Sequence, residues 1–434
     1  MSFLGLDDAF ASEVLKKAEK RAAKPIDHAQ EAIQSASGVF HEVEGRLVNL
    51  AEKPAAKQAD APPKAPAPVE PSAEEMQGYE LIKEAEGSLI MSTLDAPEER
   101  ARCFAALAAL KRGVGLDPNS CVYEAEATLE RLPADREVVR ARALLELARP
   151  GARAPQLDRL ALMEAKGLIA ELADCDGAKL RAEMALLEFA AGADPSATLA
   201  AAKKILSYTS VSAFASTLAE VASAEARCQI DPEETYGRAR AILERSEIGI
   251  ADALATRAQF VRHRADAGQI DKAYEELDAL AASADPIAAK MVIRARGFLA
   301  TAFARAGSVP STQTEILYIS REPNPATAPE AIEALCAVTR ALADSGYSRA
   351  AISMRDSALV LLKQLQAQGV KKLPGSCIEA VAVAIASCGG IDDARQFASY
   401  AGPRRVHAEA EVALAIARAG VGLVRDAQKR RQKA

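Results

Sequence analysis

The apolar positions between Asp252 and Pro286 follow a helical spacing twice in succession. Gly268 separates the two runs, at a point where glycine can adopt the left-handed backbone that ends a helix. Asp285-Pro286 is expected to stop the second run, because proline cannot continue a helix. The stretch therefore predicts an antiparallel helical hairpin. Its apolar face consists of Leu254, Ala258, Val261 and Ala265 in the first helix and Ile270, Ala273, Leu277 and Leu280 in the second.

This hairpin recurs along the chain. A residue suited to close the first helix of a unit returns roughly every 39 positions. One hairpin cannot cover its own apolar faces, so the units must stack on one another. We predict an all-α protein, an α-solenoid of about nine helical hairpins over residues 73–434, forming a curved rod on the order of 90 Å long. The closing positions are Gly113, Gly151, Gly192, a residue near Gln229, Gly268, Gly307, Gly346, Gly389 and Gly420.

The segment AGQIDKAYEELDAL, from Ala267 to Leu280, resembles the tetratricopeptide-like helical-repeat superfamily. The resemblance is one of pattern and covers roughly residues 95–433. The family's first-helix signature positions hold Arg257, Phe260, Val261 and Arg264 here, and the unit of about 39 residues lies between the tetratricopeptide length of about 34 and the HEAT length of about 40–47. The resemblance implies a helical-repeat fold, with HEAT-like repeats as the alternative.

Two segments precede the predicted array. Residues 1–52 are predicted to form separate amphipathic helices for docking or oligomerisation, the second with the spacing of a short coiled coil. Residues 53–72 are rich in proline and alanine and predict a flexible linker. The candidate docking residues are Phe3, Leu6, Phe10 and Val14 in the first helix and Val39, Val43, Leu47 and Leu50 in the second.

Composition narrows the function classes. Half of the residues are hydrophobic but only 4% are aromatic, with no tryptophan, which favours helical packing. The net charge of −6 disfavours a nucleic-acid partner. The seven cysteines contain no C-x-x-C pair, and no apolar run approaches the roughly 20 residues of a membrane span, so we expect a cytoplasmic protein. No metal-ligand spacing, phosphate-binding loop or hydrolase motif is present, and we expect neither a cofactor nor catalysis.

Five arginines recur eleven residues before a closing glycine, which predicts a ladder of guanidinium groups along the stack. Each arginine could bridge to a carboxylate or a helix C-terminus of the neighbouring hairpin. Alternatively, the ladder could bind an acidic peptide. Additional positive charge at Arg262, His263, Arg264, Arg294 and Arg305 would widen such a surface. The ladder consists of Arg102, Arg140, Arg181, Arg257 and Arg296.

These patterns predict a non-enzymatic protein–protein interaction scaffold or adaptor that binds one or more proteins and can form a homo-oligomer through its N-terminal helices. A first alternative is a peripheral membrane scaffold anchored by the amphipathic first helix. A second alternative is an all-helical enzyme whose helices close into a toroid. The absence of tryptophan, metal spacing and acidic motifs argues against the enzyme.

Overall fold

The computed structural model describes residues 71–433 apart from 151–157, 207–211, 246–247, 321–324, 369 and 371–372. Within these ranges the chain forms eighteen α-helices, one short 3-10 helix at Gly402–Arg404 and no strand, which confirms the all-α prediction. The helices are α1 (Ala73–Ser92), α2 (Pro97–Gly113), α3 (Asn119–Arg131), α4 (Glu137–Ala148), α5 (Arg159–Glu171), α6 (Cys175–Ala190), α7 (Ser196–Ile205), α8 (Ser212–Arg227), α9 (Glu233–Leu243), α10 (Ile250–Asp266), α11 (Ile270–Ala281), α12 (Pro286–Arg305), α13 (Val309–Ser320), α14 (Ala328–Asp344), α15 (Ser348–Ala367), α16 (Gly375–Ser387), α17 (Ile391–Ser399) and α18 (Arg405–Lys433).

The predicted N-terminal helices and most of the predicted linker lie outside the described residues. The docking residues at these positions therefore remain predictions. They are Phe3, Leu6, Phe10, Val14, Val39, Val43, Leu47 and Leu50.

The helices form two concentric layers. Each even-numbered helix packs against the even-numbered helices before and after it, and each odd-numbered helix packs mainly against its hairpin partner. In a curved array, the helices of the inner layer lie closer to one another than those of the outer layer, because the inner circumference is shorter. The even-numbered helices therefore form the inner layer, and the odd-numbered helices form the outer layer.

The two ends of the array meet. Helix α18 lies against α1 and also contacts α2, so the inner layer closes on itself. The ninth hairpin is thus built from both ends of the chain, with α1 as the outer helix and α18 as the inner one. One hydrophobic core cluster accordingly runs from Ile82 and Leu89 in α1 to Val421 and Val424 in α18. Eight hairpins form from consecutive helices and the α1–α18 pair makes the ninth unit, which agrees with the predicted number of units, but the expectation of a rod with free ends is wrong.

The start of α1 is fixed by its own cap and by α18. Ser72, the last residue of the predicted linker, accepts a hydrogen bond from the backbone of Glu75 at 3.3 Å, and the Glu75 carboxylate accepts one from the Ser72 backbone at 2.8 Å. This reciprocal pair satisfies two otherwise free N–H groups of the first turn. Glu75 also pairs with Arg431, and Glu74 pairs with Arg430, near the end of α18. The two helices therefore run antiparallel.

Small residues let the inner helices approach closely. A Cβ atom added at Gly297 in α12 would lie only 2.5 Å from the Cβ of Ala334 in α14. The contact can form only because one partner has no side chain and the other has a single methyl group. The abundance of alanine and glycine thus supports the tight curvature of the inner layer.

The hairpin predicted from Asp252 to Pro286 is confirmed as α10 and α11, with one correction. Seven of its eight predicted apolar residues are buried, and Ile270 packs against the same core while partly exposed. Helix α11 already ends at Ala281. Asp285 instead caps α12, accepting a hydrogen bond from the backbone of Ile287 at 2.8 Å, and Pro286 is the first residue of α12. Proline suits that position because its missing N–H would have no helical partner there.

The closing residues are confirmed in the middle of the array and wrong at its ends. Gly115, rather than Gly113, has the left-handed backbone after α2. Gly420 lies inside α18 and ends no helix. Gly151 lies outside the described residues. The predicted positions that adopt a positive φ are Gly192, Gln229, Gly268, Gly307, Gly346 and Gly389.

Candidate functional site

The inner face is the side of the even-numbered helices that neither their outer partners nor their inner neighbours cover. In α14 it carries Glu333, Arg340 and Asp344, at spacings of seven and four residues. The Asp344 side chain is 42% exposed, yet the protein around it raises its pKa above the ordinary value. Because the inner layer closes into a ring, this face is concave, and protein surrounds a side chain there that water still reaches. Burial likewise raises the pKa of Glu183 in α6 and Glu220 in α8.

The densest group of charges on this face lies where the ring closes. We call it the arginine cluster: Arg102 of α2, Arg340 and Asp344 of α14, and Glu411 and Arg418 of α18. Arg102 Nη1 lies 2.8 Å from Glu411 Oε1, and Arg340 Nη1 lies 3.7 Å from Glu411 Oε2. Arg340 Nε also lies 4.0 Å from Asp344 Oδ2. Helices α2 and α14 are therefore both joined to α18 through a single carboxylate, that of Glu411.

Arg418 has the least complete set of partners in the arginine cluster. Its Nη1 atom is buried and has no hydrogen-bond partner among the described residues. Burial and repulsion by Arg340 and Arg102 lower the pKa of its guanidinium, although Glu411 and Asp344 act in the opposite direction. Within the described part of the chain, no carboxylate oxygen lies within 4.0 Å of its nitrogen atoms. Arg418 as a residue is only half-buried, so the exposed part of its side chain, and not the buried Nη1 atom, is what another molecule can reach.

Two further arginines border the arginine cluster. Arg305 of α12 and Arg425 of α18 both act electrostatically on Asp344. Arg305 is paired with Asp266 at 2.9 Å. Arg425 is exposed and has no ion-pair partner among the described residues; its guanidinium occupies the space that a side chain at Gly113 would fill. The positive charge on this side of the inner face is therefore only partly neutralised.

A histidine lies beside the arginine cluster and ties three helices together. We call this group the histidine clamp: His407 of α18, Glu99 of α2 and Glu379 of α16. His407 Nδ1 contacts Glu99, and its Nε2 lies 3.4 Å from Glu379. Hydrogen bonds to Glu379 and Glu99 raise the pKa of His407 to about 9. His407 and Arg102 together lower the pKa of Glu99 to about 2, against the effect of burial. The clamp is thus an ion pair at neutral pH.

Arg181, like Arg102 through Glu411 of α18, makes the contact with a neighbouring hairpin that the structural hypothesis expected, whereas Arg296 pairs within its own hairpin. Arg181 of α6 is buried and donates hydrogen bonds to the carbonyls of Leu172 at 2.8 Å and Ala170 at 3.3 Å, at the end of α5 in the neighbouring hairpin. Arg296 of α12 pairs with Glu315 of its own hairpin at 2.8 Å and lies 4.1 Å from the ring centroid of Tyr318. Both guanidinium groups are held by the fold.

The ladder is not one line of equivalent positions. Gly115 closes the first unit, so Arg102 lies thirteen residues before the closing glycine, whereas Arg257 lies eleven before Gly268. Two residues rotate a helical side chain by about 200°, which turns Arg102 toward α18. Arg257 is half-buried and makes no polar contact with another described residue. Arg140 is half-buried, and its Nε atom has no hydrogen-bond partner in the described part of the chain.

Two of the residues expected to widen a positive surface are buried. Arg264 is 0% exposed, lies 3.5 Å from the ring centroid of Tyr236 and pairs with Glu233 at 2.6 Å. His263 is also buried, and burial, with help from Arg262, lowers its pKa to about 3. Both side chains therefore belong to the packing between hairpins. Arg262, Arg294 and Arg305 remain at least partly exposed.

Sequence reasoning missed most of the arginine cluster. Arg340, Glu411 and Arg418 belong to no motif, and their partners are distant in the chain. A weak signal exists in α18, where polar residues return at spacings of four, seven and seven within an apolar helix. Those residues are His407, Glu411, Arg418 and Arg425. A charged stripe of this kind indicates a helix with one face exposed.

The chain matches no protein-family model, and no curated protein matches it. The tetratricopeptide-like resemblance therefore remains a prediction. Among the helices of the described ranges, none has the length and apolar content needed to cross a membrane. No group of three or more histidine, cysteine, aspartate or glutamate side chains in those ranges is arranged to hold a metal ion.

Proposed function

We propose that this protein is a non-enzymatic interaction scaffold whose inner face binds a segment of another protein. The observation that carries the proposal is that face itself, which is concave, charged and reached by solvent, and which continues across the two chain ends. A segment lying along it would contact several hairpins at once. Repeat proteins use extended concave surfaces in this way.

The protonation of the histidine clamp favours a structural role for its own carboxylates. A general acid or base works best with a pKa near the working pH. The pKa of Glu99 is lowered to about 2, and that of Glu379 is also lowered, so both stay ionised at neutral pH. These carboxylates hold helices together. The enzyme hypothesis also requires a closed ring, so ring closure does not distinguish an enzyme from a scaffold. A fold alone does not establish a catalytic activity.

Membrane attachment through the first helix remains the alternative, and it depends on residues outside the described ranges. Flotation of the full-length protein with liposomes, lost on removal of residues 1–24, would favour it. Homo-oligomerisation through residues 27–53 is equally a prediction, and a Val43→Asp change should lower the mass measured by light scattering.

Site-specific photo-crosslinking tests the scaffold proposal. A photoreactive amino acid would replace Gln259 in α10 or Ala337 in α14, which both lie on the inner face, or Asp278 in α11 as a matched outer-layer control. We expect the same partner protein to be captured from Gln259 and Ala337 in cells of the source organism, and not from Asp278. Capture from Asp278 alone, or from none of the three positions, would overturn the proposal.

A further inference from the structure

We infer that Arg418 and Arg425 form a binding site for oxyanions on the inner face, and that this site receives the carboxylate groups of an acidic segment of the bound protein. The inference rests on the function proposed above and names the chemistry of the partner.

Arg418 carries an unsatisfied donor. Arg418 Nη1 is buried and has no hydrogen-bond partner among the described residues. Leaving a buried donor unpaired costs roughly 1–3 kcal/mol, and more when the group is charged. The half-buried Arg418 side chain has no carboxylate partner among the described residues, so an anion that binds its exposed part supplies an interaction that the protein itself does not provide.

The carboxylates next to Arg418 are already paired with other arginines. Glu411 uses one oxygen for Arg102 at 2.8 Å and the other for Arg340 at 3.7 Å. Asp344 lies 4.0 Å from Arg340. The like charges of Arg340 and Arg102 repel Arg418. An added negative charge is therefore favoured at this position.

The spacing of Arg418 and Arg425 favours an acidic chain over a single small anion. Arg418 and Arg425 lie seven residues apart on the same stripe of α18, so their Cα atoms are about 10.5 Å apart at 1.5 Å per residue. Arg425 is exposed and its guanidinium lies against α2. Two separate guanidinium groups, each able to hold a carboxylate in a bidentate manner, match a chain that carries several carboxylates better than one phosphate ion.

The test is calorimetric titration of the full-length protein at low ionic strength with two separate probes, hexaglutamate peptide and inorganic phosphate. The variants are Arg418→Gln and Arg425→Gln. The matched control is Arg349→Gln, which removes an exposed arginine from the outer helix α15. We expect the peptide to bind the wild type and the control with equal Kd. Each site variant should weaken binding about tenfold or more, the equivalent of losing one charge-assisted hydrogen bond.

A folding control accompanies the titration. The melting temperature of Arg418→Gln should equal or exceed that of the wild type, since the substitution removes a charge repelled by Arg340 and Arg102. If Arg418→Gln fails to fold, the exposed Arg425→Gln variant decides the result.

The inference is overturned by equal peptide binding to the wild type and both site variants. It is also overturned by binding of phosphate but not peptide, and by binding of neither probe. Crosslinking from Gln259 and Ala337 tests the scaffold function independently of the acidic nature of the partner. If that crosslinking succeeds while the titration fails, the scaffold function stands and the acidic partner is wrong. If the crosslinking fails, the function itself is wrong.

Discussion

Gly78 of α1 and Gly420 of α18 pack backbone to backbone where the two ends of the chain meet. A Cβ atom added at either glycine would lie 2.6 Å from the carbonyl oxygen of the other. Added at Gly78, it would also lie 2.7 Å from a side-chain carbon of Val424. No other residue type fits this crossing without moving a helix. The closure of the ring therefore depends on two glycines that are 342 positions apart in the sequence.

Substitution of Gly420 by alanine should destabilise the protein, because the new methyl group collides with the backbone of α1. We expect a loss of about 1–3 kcal/mol in the free energy of unfolding, as for overpacked sites. The measurement is urea unfolding followed by circular dichroism. The matched control is Gly422→Ala in the same helix, where a Cβ atom meets nothing within 4 Å. There the better helix propensity of alanine should stabilise by about 0.5–1 kcal/mol. Similar effects at both positions would contradict the close crossing.

The histidine clamp should make stability depend on pH in the alkaline range. The pKa of His407 is raised from 6.5 to about 9 in the folded state, so its stabilising contribution is complete below pH 6.5 and is lost as the pH rises through 9. The melting temperature of the wild type should therefore exceed that of His407→Gln at pH 6, and the difference should shrink by pH 10. Other titrating groups affect both proteins alike. A difference that stays constant over this range would exclude the charged clamp.

Arg181 and Arg257 share one position of the predicted ladder but should respond differently to substitution. Arg181→Ala removes the donor that caps α5 and leaves its terminal carbonyls unpaired. We expect a loss of about 1.5–3 kcal/mol, the range for a hydrogen bond to a charged group. Arg257→Ala breaks no polar contact with a described residue, so its effect should stay within about 0.5 kcal/mol. Chemical denaturation of both variants checks this, and an equal loss in both would restore a single structural ladder.

Arg264 should contribute far more to stability than Arg262, two positions earlier in α10. Arg264→Ala leaves a cavity beside Tyr236, and truncating a large, fully buried side chain to alanine costs about 2–5 kcal/mol. Glu233 keeps its ion pair with Lys272 at 2.6 Å. Arg262 is half-exposed and pairs with Asp266 at 3.6 Å. Its replacement by alanine should cost less than about 1 kcal/mol. Thermal unfolding of the two variants gives the comparison, and a small effect of Arg264→Ala would show that the position tolerates repacking.

Local spacing predicted the hairpins well because its determinants are close in sequence. The apolar faces of α10 and α11 follow from residues three and four positions apart, and Gly268 and even Gln229 adopt the left-handed backbone expected where a unit closes. The same logic failed at Gly420. A glycine that ends a helix and a glycine that lets another helix approach look alike in the sequence, and only the presence of α1 distinguishes them.

Other predictions were wrong because a residue was assigned to the wrong position within its repeat unit or to the wrong face of its helix. The shift from Gly113 to Gly115 moved Arg102 by two positions within its unit, and two positions turn a side chain to the other side of a helix. Arg102 therefore reaches Glu411 of the neighbouring α18, which is the kind of contact that the structural hypothesis expected, but from a different position in its unit. Arg264 was expected at the surface because its neighbours are charged, whereas Tyr236 and Glu233 of the preceding hairpin bury it.

The sequence by itself determined the helices and the eight hairpins of consecutive helices, because these depend on contacts within about 40 residues. Only the tertiary structure decided that the array closes and that the arginine cluster and the histidine clamp form at the closure. His407 and Glu99 meet across 308 positions of the chain. Such a meeting depends on the small rotation between successive hairpins, summed over the whole array, and no local spacing specifies that sum.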